Sequence, residues 1–236
     1  MKRRADAPID GVLLDLYGTL VPAGPRASPA PHLGEVARIL GVDTLRFEND
    51  WMQSNDQRML GQLGSLEDTM ATLAERQGVR PTPERIRRAT EIRLAFCRST
   101  LDACDPVLPG LDALRKAGLR LAVVSDCSGE TARLWTSSRL GQRIQTTVFS
   151  CVEGVFKPDP RMYRRALQKL DLPADRCAFV GDGGSRELTG ATAIGLAAYL
   201  FRFPGDEGHP EARYDPDTGW SGPMLKDLED LLSMDR

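Results

Sequence analysis

A chain of 236 residues with 41% apolar and 27% charged residues and a formal net charge of -2 has the composition of an ordinary soluble globular protein. Its length allows one substantial core and a smaller accessory unit, because single cores saturate near about 250 residues. The charge excludes global attraction to nucleic acid, and the opening MKRRADAPID is followed only by the short apolar stretch Val12 to Leu16. That stretch is too short for a signal or membrane-spanning segment, so a cytoplasmic location is expected.

The first predicted element is a strand in GVLLDL, residues 11–16. Its apolar residues run without polar alternation, as expected where helices cover both faces of a parallel sheet. From about Val21 to Asp105 no strand is visible, and helical patterns over roughly 30–40, 44–61, 65–77 and 82–101 are separated by Gly41, Gly64 and the PTP at 81–83. This region reads as an inserted helical domain. Its arginine-rich stretch RIRRATEIRLAFCR reads as a solvated helix face. Beyond it, predicted strands LRLAVVSD (119–126), TTVFS (146–150), CAFVGD (177–182) and LAAYLF (196–201) alternate with the helical stretches GLDALRKAG, GETARLWTSSRLG, PRMYRRALQKLDL and SRELTGATAIG. Such alternation predicts an α/β fold with a right-handed, doubly wound parallel sheet between helical layers. The terminal WSGPMLKDLEDLLSM reads as a turn followed by an amphipathic helix packed on the core.

Five cysteines, Cys97, Cys104, Cys127, Cys151 and Cys177, are odd in number, scattered and without a CxxC pair, so they are expected to be reduced. The two histidines, His32 and His209, are isolated in sequence and read as surface or capping residues.

Chemistry concentrates at the strand ends. The first, second and fourth of the main strands end in a carboxylate or hydroxyl followed by small residues, and a Lys-Pro pair follows TTVFS; an open parallel sheet places its ligand site there. A single aspartate in such a place is commonly a turn former or a helix cap, but four features in this order are not explained by capping alone. Asp15, Asp182 and Glu187 offer hard oxygen ligands for Mg²⁺, and Lys157 supplies a fixed positive charge. A carboxylate that attacks a phosphoryl group needs such a cation and several hydrogen-bond donors to offset like-charge repulsion.

With these motifs, Asp15-Leu16-Tyr17-Gly18-Thr19, Ser125-Asp126, Lys157 in GVFKPDP, and Gly181-Asp182-Gly183-Gly184-Ser185-Arg186-Glu187, the chain resembles the haloacid dehalogenase superfamily over essentially its whole length. The resemblance implies a Rossmann-like three-layer core over residues 1–21 and 106–236 and a helical cap over 22–105, with pivots near Pro22 to Pro25 and Asp105 to Pro109. It implies Asp15 as nucleophile, Gly18 in the tight turn and Thr19 holding the site together. Ser125, with Asp126 and the following amides, would bind the transferred group, and Lys157 would neutralise charge on nucleophile and substrate. The implied magnesium set is Asp15, Tyr17, Asp182 and Glu187. The implied partner is a small phosphorylated molecule, acted on by a monomer or homodimer.

Three readings of function stay open. Phosphatases of the superfamily carry a second aspartate two residues after the nucleophile, where this chain has Tyr17, a poor general base with an ordinary pKa near 10. A tyrosine there matches the 2-haloacid dehalogenases, whose halide leaving group needs no proton. Against that reading, the chain keeps Asp182 and Glu187, has Ser125-Asp126 rather than Ser-Asn, and puts Met52 where those enzymes place a cap arginine. The first expectation is therefore Mg²⁺-dependent hydrolysis of a phosphorylated metabolite through an aspartyl-phosphate. The second is metal-independent dehalogenation, and the third a non-catalytic domain that binds a phosphorylated ligand. Trp51, Met52 and Arg58 are cap residues that could face the site, with packing inside the cap the expected role for Trp51 and Met52.

Overall fold

The computed structural model describes residues 8–23, 32–206 and 215–234. His209 lies outside them, as does part of the expected pivot at Pro22 to Pro25. Five parallel strands, β1 (Gly11–Leu14), β2 (Arg120–Ser125), β3 (Thr146–Phe149), β4 (Cys177–Gly181) and β5 (Ala197–Leu200), form one sheet in the order β3-β2-β1-β4-β5. β1 sits in the middle because its four residues are wholly buried and must meet apolar partners on both faces. Val12 and Leu14 point into one core with Val123, Val180, Leu111 and Leu114. Leu13 points into the other with Val124, Phe179, Met162 and Tyr163. Each such side chain contributes about 1.5–3 kcal/mol when fully buried, which is why the strands read as continuous apolar runs.

Helices α6 (Leu108–Lys116) and α7 (Gly129–Leu134) lie on the first face, and α9 (Pro160–Leu170) and α10 (Glu187–Ala193) on the second, giving the expected three-layer α/β core. The chain order steps outward from β1 to β3 and then returns to the other side of β1 for β4. That reversal opens a crevice at the carboxyl ends of β1 and β4.

Between β1 and β2 the chain forms α1 (His32–Leu40), α2 (Thr44–Gln53), α3 (Asn55–Met59), α4 (Leu66–Glu75) and α5 (Pro83–Asp102). They share their own core of Leu33, Val36, Leu40, Phe47, Trp51, Met70, Leu73 and Ala89. The helix starts follow local chemistry. Asp43 accepts from the Arg46 amide, Ser65 and Asp68 form a reciprocal capping box, and Thr82 caps a helix that opens on Pro83.

Three expectations are corrected. The single helix predicted over 44–61 is two, divided at Ser54, whose amide still closes α2 on Asp50 while its hydroxyl donates to the Trp51 carbonyl at 3.0 Å. The stretch GETARLWTSSRLG yields only the six residues of α7 and a single 3₁₀ turn at Trp135–Ser137, because the Ser138 hydroxyl takes the Trp135 carbonyl. The terminal amphipathic helix is a 3₁₀ turn, Leu228–Leu232, which still buries Leu228 and Leu231 against α6. A short helix not foreseen, α8 (Ser150–Glu153), follows β3 directly. Among the described residues, no helix is long and apolar enough to cross a membrane.

Candidate active site

The strand ends converge as the motif order requires. Asp15 stands one residue beyond β1, its amide still bonded to the Val180 carbonyl of β4 at 2.9 Å, so the sheet itself fixes its backbone. One carboxylate oxygen accepts from the Thr19 hydroxyl at 3.0 Å and the other from the Lys157 ammonium. Gly18 makes this possible: it turns at φ 87°, and a β-carbon there would collide with the Asp182 carboxylate.

Lys157, buried, reaches Asp15 and also Glu187 Oε2 at 2.5 Å, while its amide donates to Asp126 Oδ1 at 3.0 Å. Asp182 follows β4 and accepts from the Gly184 amide at 2.9 Å, and Glu187 opens α10 and accepts from the Gly183 amide at 3.0 Å. The loop between these acids is tightly wound, with Gly183, Ser185 and Arg186 all at positive φ. Oxygen atoms of Asp15, Asp182 and Glu187 lie within 4.8 Å of one another, and all three residues are buried. Ser125 ends β2 with a buried hydroxyl oxygen that has no hydrogen-bond partner among the described residues, an orphaned group at the same end of the sheet.

The electrostatics describe a site short of positive charge. Burial alone would lower the Lys157 pKa, but the attraction of Asp15, Glu187 and Asp126 outweighs it and holds the ammonium well above its ordinary value. Burial and repulsion from Asp15 push the Glu187 carboxyl well up despite Lys157, and burial raises Asp126. Three clustered carboxylates thus face one ammonium. A hard divalent cation with oxygen ligands fits that donor set, with Asp15, Asp182 and Glu187 the residues able to hold it.

Tyr17 belongs to the motif but not to this cluster. Its hydroxyl lies 2.8 Å from the Thr131 hydroxyl of α7, and burial raises its pKa well above the usual tyrosine value. The Tyr17 side chain, expected in the magnesium set and among the catalytic groups, is therefore engaged on α7 instead.

A second group of side chains lines the seam between α7 and the helices of residues 32–102; Trp51 and Arg58 were expected there from the sequence, Arg93 and Glu130 were not. Arg93 of α5 donates from Nε to Glu130 of α7 at 2.9 Å, with both side chains largely buried. Arg58 of α3 stacks over the Trp51 ring at 4.0 Å and bonds the Trp51 carbonyl at 3.1 Å, and Arg93 lies 5.1 Å from the same ring. Trp51 packs as expected, whereas Met52 is 43% exposed. The guanidinium at this level of the helices comes from Arg58, six residues beyond Met52.

The structure thus combines a three-layer parallel core, a helical unit inserted after the first strand, and buried carboxylates gathered at the carboxyl end of the sheet. The haloacid dehalogenase-like hydrolase family model matches residues 9–195, and the chain belongs to that family. Phosphoglycolate phosphatase of Cupriavidus necator is 30% identical over 216 residues, covering 83% of this chain and 82% of that protein. The (S)-2-haloacid dehalogenase H-109 of Pseudomonas putida is 27% identical over 199 residues, 80% of this chain and 84% of that one. Similarity to the mouse haloacid dehalogenase-like hydrolase domain-containing protein 3 is 32% over 105 residues, so this chain spans only 41% of that relative's length. The crystal structure of a 2-haloacid dehalogenase from Pseudomonas syringae pv. tomato superposes with a TM-score of 0.67 at 22% identity, covering 96% of this chain and 97% of that one, which establishes the shared fold.

Proposed function

We propose that the protein is a Mg²⁺-dependent phosphoric monoester hydrolase acting on a small phosphorylated metabolite, with residues 22–105 as a cap over the site. The observation that carries this reading is the buried cluster of Asp15, Asp182 and Glu187 beside a single lysine. A site that had to hold only an uncharged carbon centre would not need three carboxylates in one place. Magnesium, when bound there, supplies the positive charge that lets an anionic phosphoryl group approach an anionic nucleophile.

The chain's own residues do the rest. Asp15, oriented by Thr19 and Lys157, attacks phosphorus and carries the phosphoryl group as an aspartyl-phosphate. The unpaired hydroxyl of Ser125 donates to a phosphoryl oxygen, and Lys157 holds charge at the bond being made. Water later displaces phosphate from Asp15. Because Tyr17 is spent on Thr131 and holds its proton tightly, no acid stands two residues after the nucleophile to protonate a leaving alkoxide. Aryl and acyl phosphates, whose leaving groups are acidic, are therefore the fastest substrates expected. Phosphoglycolate is a natural metabolite to include, given the phosphatase relative.

A second reading, 2-haloacid dehalogenation by the same aspartate, is favoured by Tyr17 in place of an acid and by the (S)-2-haloacid dehalogenase relative. A panel of phosphate esters and 2-haloacids, assayed with Mg²⁺ and with chelator, separates the two. Metal-dependent phosphate release is the expected result, and halide release that survives chelator would overturn it. If neither product appears but phosphorylated ligands raise the melting midpoint, a binding domain is the answer.

A further inference from the structure

β2 and β3 run parallel in a register that pairs Ser125 with Phe149. Two residues past these strand ends stand Cys127, in the loop after β2, and Cys151, in α8, so the chain leaves two adjacent strands with a cysteine on each path. The Ser150 hydroxyl closes the arrangement. It accepts from the Cys127 amide at 2.9 Å and lies 3.2 Å from the Cys127 carbonyl oxygen, which holds that backbone against the residue next to Cys151. Cys127 is buried in the apolar core on this face of the sheet, and Cys151 packs against the same cluster.

The two thiols are unequal. Cys127 is buried and its pKa is raised well above the usual thiol value by that burial, whereas Cys151 is partly exposed and interaction with the neighbouring Cys127 thiol lowers its pKa. The exposed member is therefore the one a soluble oxidant can reach, and the buried one is placed to resolve it.

We propose that Cys151 and Cys127 form a peroxide-responsive disulfide that ties the Ser125-Asp126 loop to α8. In the first step the Cys151 thiolate attacks a peroxide oxygen. The O–O bond breaks, the sulfur is oxidised to a sulfenic acid, and hydroxide or alkoxide leaves. In the second step the Cys127 sulfur attacks the sulfenic sulfur, the S–S bond forms, the S–O bond breaks, and the Cys127 proton leaves with the hydroxyl as water. A dithiol reverses the bridge by exchange.

The consequence for catalysis rests on the phosphatase reading, and the bridge itself does not. Cys127 follows directly on Ser125 and Asp126, and Asp126 takes the Lys157 amide. Ser150, beside Cys151, also donates to the Met59 carbonyl at 2.7 Å on the helical unit. Drawing these backbones together displaces the loop, and a misplacement of about 1 Å near a reacting group costs up to a hundredfold in rate.

The test is peroxide treatment of the whole protein, alkylation of free thiols and digestion without reductant. The expected result is a mass loss of about 2 Da, a Cys127–Cys151 cross-linked peptide and its disappearance with dithiothreitol. Cys127→Ser should leave Cys151 as a sulfenic acid that reacts with dimedone. Full alkylation of both thiols after peroxide, oxidation of Cys151 to the sulfinic acid with no bridge, or a bridge from Cys127 to Cys97 would each overturn the proposal. If the protein also turns over phosphate esters, peroxide should lower that rate at least about tenfold in the wild type and spare Cys151→Ser.

Discussion

Asp15 is held by three independent contacts, the Val180 carbonyl on its amide and Thr19 and Lys157 on its carboxylate. Replacing it with asparagine keeps volume and the Thr19 contact but removes the charge and the nucleophilic oxygen. Asp15→Asn is expected to reduce turnover to the background rate while the melting midpoint, read by circular dichroism, stays within a few degrees of wild type. Glu187 continues to balance Lys157 in that variant. Asp15 and Asp182 were legible in the sequence because each directly follows an apolar strand run, and Lys157 and Glu187 through their place in the motif order. The partnership of Lys157 with both Asp15 and Glu187 was not, since 142 and 30 positions separate the lysine from its acids. Nor was the direction of the Tyr17 side chain, which depends on where α7 brings Thr131.

At the scale of elements, α7 joins the sheet to the helices of residues 32–102. Its Glu130 pairs with Arg93 in a nearly dry seam, and its Arg133 pairs with Glu67 at 2.8 Å where both side chains are about half exposed. The two pairs should differ sharply in worth. Arg93→Met strands Glu130 as an unpaired buried carboxylate and is expected to cost about 3–5 kcal/mol in urea denaturation. Arg133→Met removes only a solvated pair and should cost less than about 1 kcal/mol. The start of α1 adds a pH response. His32 stacks on Phe96 at 4.1 Å, its Nε2 is 3.2 Å from Arg93, and burial and that guanidinium hold its pKa down to about 4. The unfolded chain takes up this proton near pH 6.5 and the folded one only near 4, so the unfolded state binds more protons between those values. Stability from this group is complete above about pH 7 and falls as pH drops towards 4. His32→Gln should therefore lose its disadvantage relative to wild type as urea midpoints are compared from pH 7 down to 4.5.

For the whole molecule, the balance of charge at the sheet's edge decides what the fold can bind. Three buried carboxylates against one ammonium leave room for a divalent cation, and such a ligand stabilises the folded state by mass action. At a hundredfold excess over its dissociation constant, Mg²⁺ would contribute about 2.7 kcal/mol, or about 5–10 °C in melting midpoint for a chain of this size. Asp182→Asn should abolish most of that shift without any assay of activity. An unchanged midpoint for wild type across a Mg²⁺ titration would remove the metal from the proposal.

The amino-acid sequence by itself determined the α/β class, the five strands and the polar residues at their ends. Those are local properties: an apolar run such as GVLL suits a short strand covered on both faces, and the acid, hydroxyl or glycine after it must lie at the carboxyl end of the sheet. Tertiary structure decided the rest. It split the helix at Ser54 and turned Arg58 onto Trp51. It also set Arg93 against Glu130 and, through the Ser150 hydroxyl, tied the Cys127 backbone to the residue beside Cys151. Each of these depends on how separate elements pack, and burial makes such polar pairs matter because a charge or thiol removed from water answers chiefly to its few neighbours.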